Sequence, residues 1–189
     1  MNAPVLKLMK AAEFLDWCLD QEGRWELVRG MPTRAMTGAT RRHDSIVVNL
    51  LFRLRGKLGA GSCSAHTADQ ALRIDEDTIR RPDVTVDCGP TAANALESSQ
   101  PAVAFEVLSP STHKTDRFRK LEEYKSVASL MHVALIDPDR PIVLLFSRRD
   151  DGAWGHEELQ GLEAALPLSA IGAELPLAEI YEGLAFEAE

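Results

Sequence analysis

A chain of 189 residues, 45% hydrophobic and 26% charged, has ordinary globular composition and enough length to bury a core. No apolar run approaches a membrane span, and Met1 to Lys10 lacks the apolar centre of a secretory leader, so one cytoplasmic domain over residues 1–189 is expected. The net charge of -8 speaks against a nucleic-acid partner, but the acidity is C-terminal: residues 150–189 hold ten acids and no Lys or Arg, while the preceding 149 carry 21 basic and 19 acidic groups, which leaves room for a local basic face.

Taken in order, Ala11 to Gln21 reads as a helix, with Phe14, Leu15, Cys18 and Leu19 at helical spacing. Trp25 to Val28 is a short strand, turned at Gly30-Met31-Pro32 into a second near Thr33 to Met36. Glu26 alternates with Trp25 and Leu27 and faces away from them. Thr40 to Leu58 is the longest helical pattern, with Ile46, Leu50 and Leu54 on its apolar face and several arginines opposite; His43 stands near its start. Cys63 to Ala68, Gln70 to Ile74 and Arg80 to Val86 read as a meander of short strands. Gly89 to Gln100 is a loop, and Pro101 to Leu108 is an apolar strand.

A helix runs on to about Val127, with Ser111, Thr112 or Thr115 as candidate caps. Phe118, Leu121, Tyr124 and Ala128 mark its buried face, Lys120 lies on the flank of that face, and Arg119, Glu122 and Glu123 lie on the far side. Arg117 falls toward the buried side. Strands follow at Leu130 to Ile136, Ile142 to Ser147 and Trp154 to Leu159, then a tail alternating Pro and Leu and a short helix, Leu177 to Tyr181. Cys18, Cys63 and Cys88, odd in number and without CxxC spacing, read as reduced, mostly buried thiols in a cytoplasmic protein.

Two acids stand out. Glu106 sits in the apolar run Val103 to Leu108, where a carboxylate is costly unless paired or bound to a metal. Asp83 follows Pro82 at the head of another Val-rich run. If the two strands are neighbours, their oxygens converge, and oxygen ligands without Cys or His suit a hard cation such as Mg²⁺.

The order Pro82-Asp83, Glu106 in an apolar strand, then a lysine resembles the PD-(D/E)XK nuclease superfamily. Further words narrow the resemblance to its Uma-two family of restriction-type endonucleases: Trp25-Glu26-Leu27-Val28-Arg29-Gly30, His43 before a long helix, Arg81-Pro82-Asp83-Val84, Glu106-Val107-Leu108-Ser109-Pro110-Ser111-Thr112, Asp116 with Lys120 and Tyr124, and Ala134-Leu135-Ile136-Asp137-Pro138. It covers roughly residues 11 to 185.

What the resemblance implies is an α+β, restriction-endonuclease-like core, a mixed β-sheet flanked by helices. It implies Asp83, Glu106 and the Val107 carbonyl as ligands of Mg²⁺ or Mn²⁺, Glu26 as an auxiliary acid, and hydrolysis of nucleic acid, first of all DNA. Double-strand cutting favours a homodimer, for which exposed edge strands in the 130–160 region offer a surface. The sequence departs from the superfamily at Leu108, where the lysine usually stands. Lys120, one helix later, is the nearest substitute. The alternative is a catalytically silent binding or regulatory protein of the same fold, in which Glu106 and Lys120 form a buried ion pair.

Overall fold

The computed structural model describes residues 8–35, 39–90, 92–109 and 114–186, and of residues 114–116 the backbone alone. Helix α1 (Ala11–Cys18) leads into a hairpin of β1 (Trp25–Val28) and β2 (Met31–Arg34), then the long helix α2 (Arg41–Leu58). Four short strands follow: β3 (Ser64–Thr67), β4 (Leu72–Arg73), β5 (Ile79–Arg80) and β6 (Val84–Asp87). Next come β7 (Pro101–Val107), α3 (Lys114–Ser126) and β8 (His132–Ile136), then the hairpin of β9 (Ile142–Arg148) and β10 (Trp154–Gln160). The chain closes with β11 (Ala165–Leu168), β12 (Ala173–Pro176) and α4 (Leu177–Ile180).

The main sheet has six strands in the order β10-β9-β8-β7-β6-β3. Strands β7 and β8 run parallel, joined through α3, and their neighbours pair antiparallel. A second sheet has the order β2-β1-β5-β4, and β11 and β12 form a separate ribbon. This is the mixed, helix-flanked α+β architecture that the family resemblance implies.

β7 lies at the centre because both of its faces are apolar. Successive side chains of a strand point to opposite faces. Val103, Phe105 and Val107 therefore share one core with Ile46, Leu50 and Leu54 of α2. Ala104 faces the other way, into a core with Leu121 and Tyr124 of α3 and Leu72 of β4. Glu106, one pleat beyond Ala104, is thereby aimed at α3. α2 is fixed at its start by Thr40, whose hydroxyl accepts a hydrogen bond from the His43 N–H at 3.3 Å.

The β1–β2 hairpin turns on Arg29 and Gly30, with φ of 49° and 79°. Two central residues with positive φ mark the tight turn whose twist suits a hairpin. A Cβ on Gly30 would also stand 2.9 Å from Leu8 Cβ.

Several boundaries differ from the sequence reading. The turn is Arg29–Gly30, so β2 ends at Arg34; Met36 lies outside the described residues. The expected strand from Arg80 to Val86 is broken into β5 and β6, with Arg81, Pro82 and Asp83 between them, since proline cannot donate to a ladder. The tail forms β11 and β12, which the Pro–Leu alternation concealed. Phe118 is 68% exposed rather than core, and Ala128 lies beyond α3 and is exposed. Glu123 turns inward to Arg80. Ser111 and Thr112 as caps lie outside the described residues, as do the side chains of Thr115 and Asp116.

The cysteine reading is corrected too. Cys63 and Cys88 are joined by a disulfide, and Cys18 is free. They flank the paired ends of β3 and β6, where Ser64 faces Asp87, so the antiparallel register brings the two thiols together. Cysteine usage therefore no longer argues for a reducing compartment. Thiol titration of denatured, unreduced protein is expected to find one thiol per chain, and full reduction to expose all three cysteines; three before reduction would refute the bridge.

Candidate active site

The site lies at one end of the main sheet, where the end of β7 meets the segment entering β6. Antiparallel pairing sets Val84 opposite Phe105, so Asp83 and Glu106 come to the same edge. The Val107 N–H donates to Asp83 Oδ2 at 2.8 Å and ties the two segments together. His43, from the start of α2, places Nε2 3.3 Å from the same Asp83 oxygen. Its Nδ1 is buried and has no hydrogen-bond partner among the described residues.

On the α3 side, Glu106 Oε1 accepts a 2.5 Å hydrogen bond from the Tyr124 hydroxyl. The Lys120 ammonium stands 3.5 Å from that oxygen and 3.2 Å from Glu26 Oε1. Lys120 and Tyr124 are one helical turn apart, so both reach the same carboxylate from one stripe of α3. The structure thus brings Asp83, Glu106, Lys120 and Glu26 into one cluster, with His43 and Tyr124 at its two ends. Arg117 is half-buried near the start of α3, with no partner for its Nε among the described residues.

Behind the cluster stands Arg80, a residue that sequence reasoning passed over. Its side chain is 1% exposed. Nη1 donates to Glu26 Oε2 at 2.8 Å, while Nε and Nη2 donate to the two oxygens of Glu123 at 2.6 and 3.0 Å. The Arg81 N–H adds a 3.3 Å bond to Glu26 Oε1. An alternating chain of charge results: Glu123, Arg80, Glu26, Lys120, Glu106. The one local signal was that Glu123 lies one helical turn from Lys120; Arg80 itself stands between buried Ile79 and half-buried Arg81.

The electrostatics follow from burial and neighbours. Burial pushes the Glu106 carboxyl up to about 7; the Lys120 charge and the Tyr124 hydrogen bond pull it down, and the Asp83 and Glu26 charges push it further up. Burial works against the Lys120 charge, but Glu106 and Glu26 outweigh it and hold the ammonium above the ordinary lysine range. The hydrogen bond to Asp83 raises His43. Burial, then the Glu106 charge, raises Tyr124, so the phenol stays a proton donor.

The donor set is one of oxygens. Asp83 Oδ1 and Glu106 Oε2 have no hydrogen-bond partner among the described residues. No group of three His, Cys, Asp or Glu side chains among the described residues is arranged to hold a metal. Two carboxylates, each with one oxygen free of partners among the described residues, would suit a cation that keeps several waters, which is the habit of Mg²⁺ rather than of Zn²⁺.

A mixed sheet carrying two carboxylates at its edge and a lysine from the crossing helix defines a restriction-endonuclease-like protein. The fold is shared with the crystal structure of a "putative nuclease belonging to DUF820" from Anabaena variabilis: TM-score 0.70 and 18% identity, over 88% of this chain and 96% of that one. A family model described as "Putative restriction endonuclease", Uma2, matches residues 11–178, and the chain belongs to that family. Two relatives come from Synechocystis. The uncharacterized protein slr1290 is 31% identical over 98% of this chain and 97% of its own length, and sll1609 is 26% identical over 89% and 97%.

The raised Glu106 pKa has a consequence for stability. Between the ordinary value of 4.5 and about 7, the folded state holds a proton that the unfolded state has released, so this group's contribution to stability falls as pH rises through that window. Glu106→Gln removes this contribution. Relative to wild type, the variant is therefore expected to gain stability between about pH 4.5 and 7 in urea melts. A constant difference across that range would contradict a raised pKa.

Proposed function

We propose that the protein is a metal-dependent endonuclease that hydrolyses phosphodiester bonds of nucleic acid, with DNA as its substrate and Mg²⁺ or Mn²⁺ as its cofactor. The observation that carries this reading is the Lys120 ammonium, fixed between Glu26 and Glu106. A lysine held there by two carboxylates stays charged and stands ready to meet a phosphate oxygen.

In this reading Asp83, Glu106 and the Val107 carbonyl would hold the cation. When bound, it neutralises charge on the scissile phosphate and favours ionisation of water. Lys120 stabilises the negative charge that grows on the phosphate oxygens. Glu26 and Arg80 keep Lys120 in place without touching substrate. His43 donates to Asp83 and sets the orientation of that carboxylate. Tyr124 does the same for Glu106 by occupying Oε1, which leaves Oε2 for the metal. The C-terminal acidity of the chain favours weak non-specific DNA binding, because few phosphates can be neutralised.

The test is a cleavage panel of linear and supercoiled DNA and of RNA, with Mg²⁺ or Mn²⁺. Wild type is expected to cut DNA only with a divalent cation. Asp83→Asn, Glu106→Gln and Lys120→Met should each lower the rate by about 10²–10³-fold, with the circular dichroism spectrum unchanged. Wild-type protein that binds Mn²⁺ but leaves every substrate intact would instead support the catalytically silent alternative.

A further inference from the structure

The outward face of α2 does nothing for the fold of a single chain. Asp44, Val48, Phe52 and Arg55 are all exposed, with Val48 at 54% and Phe52 at 69%. At 100° per residue they fall within an arc of about 80°, a single stripe along the helix. Arg53 supports one side of the Phe52 ring, its guanidinium carbon 5.5 Å from the ring centroid. Asp44 and Arg55 have no ion pair or hydrogen bond from their side chains among the described residues. Eleven residues apart, they are separated by about 16 Å along the axis and cannot meet within one helix.

We infer that α2 pairs in antiparallel fashion with α2 of a second copy of this chain, through the stripe Asp44, Val48, Phe52 and Arg55. A two-fold axis near the middle of the stripe sets Val48 against the partner's Phe52, and Phe52 against the partner's Val48. The same operation sets Asp44 beside the partner's Arg55 at both ends. The stripe is thus its own complement in shape and in charge, as a two-fold interface requires. A nucleic acid on this face would meet Arg55 favourably, but it would also meet Asp44 and two apolar side chains.

Gly56 supports the same occupant. Glycine is among the least favourable residues inside a helix. A Cβ at Gly56 would meet nothing within 4 Å, so no packing in the single chain calls for glycine there. In the pair Gly56 falls opposite the partner's Asp44, where a missing side chain leaves room for the carboxylate to turn toward Arg55.

α2 spans about 27 Å. A stripe of this length covers less than the roughly 1,200 Å² of a standard interface, so the dimer is weak and reversible. The pairing rests on the surface of α2 and not on the nuclease reading, so the two fail separately.

The experiment is sedimentation velocity of the full chain from about 1 to 500 µM, a range suited to a small interface. Wild type is expected to pass from monomer to dimer, and Phe52→Glu to stay monomeric with an unchanged circular dichroism spectrum. Asp44→Arg and Arg55→Asp should each weaken association about tenfold or more, since each turns two attractive contacts into repulsive ones. The double variant carrying both reversals should regain wild-type association. A wild type that stays monomeric throughout overturns the inference. So does a dimer that Phe52→Glu leaves intact, which would place association elsewhere, as at the edge strand β10, and so does a double reversal no better than the single ones.

Discussion

Arg80 is the constraint on which the site depends. A guanidinium buried to 1% exposure survives because its fork is met on one side by both oxygens of Glu123 and on the other by Glu26. Removing one partner from a buried ion pair typically costs about 3–5 kcal/mol, because the charge left behind has lost water as well as its counter-ion. The chain tolerates this risk across three elements, β1, β5 and α3. In return the second sheet is locked against α3 in a single arrangement.

That arrangement decides where Lys120 goes. Glu26 has one oxygen on Arg80 and the other on Lys120, so the position of the ammonium is inherited from the arginine. β7 itself supplies no lysine: the residue two places after Glu106 is Leu108, on the same face of the strand. A helix side chain fills the gap, reaching in from α3 to stand beside the carboxylate that a strand lysine would otherwise neighbour. Two negative groups, Asp83 and Glu106, then face two flanking donors, His43 and Tyr124, which leaves one oxygen of each acid uncommitted.

How much of this was legible in the sequence depended on whether the signal was local. Glu106 announced itself as an acid in an apolar strand. Asp83 followed from its proline and Lys120 from its angle on the helix. Arg80 did not announce itself, because an arginine in a short strand reads as a solvated charge until its tertiary partners are known. Glu123 was placed on the solvent side because helical periodicity describes packing against one surface. α3 is flanked by the main sheet and also by β4 and β5 of the second, so its polar flank is half-buried. Phe118 failed in the opposite sense: the apolar spacing continued past the edge of the sheet it would have covered. The Cys63–Cys88 bridge was invisible because strand register is not written in cysteine spacing.

In the proposed mechanism Lys120 performs from α3 what the superfamily's lysine performs from the strand. Placing a lysine at Leu108 in the Lys120→Met background tests it most directly, with single-turnover cleavage measured beside Lys120→Met alone. The expected result is partial recovery of cleavage with unchanged Mn²⁺ affinity, since the positive charge returns to the same carboxylate from the strand. Cleavage that stays at the level of Lys120→Met, in a variant that folds and binds Mn²⁺ like wild type, would contradict it.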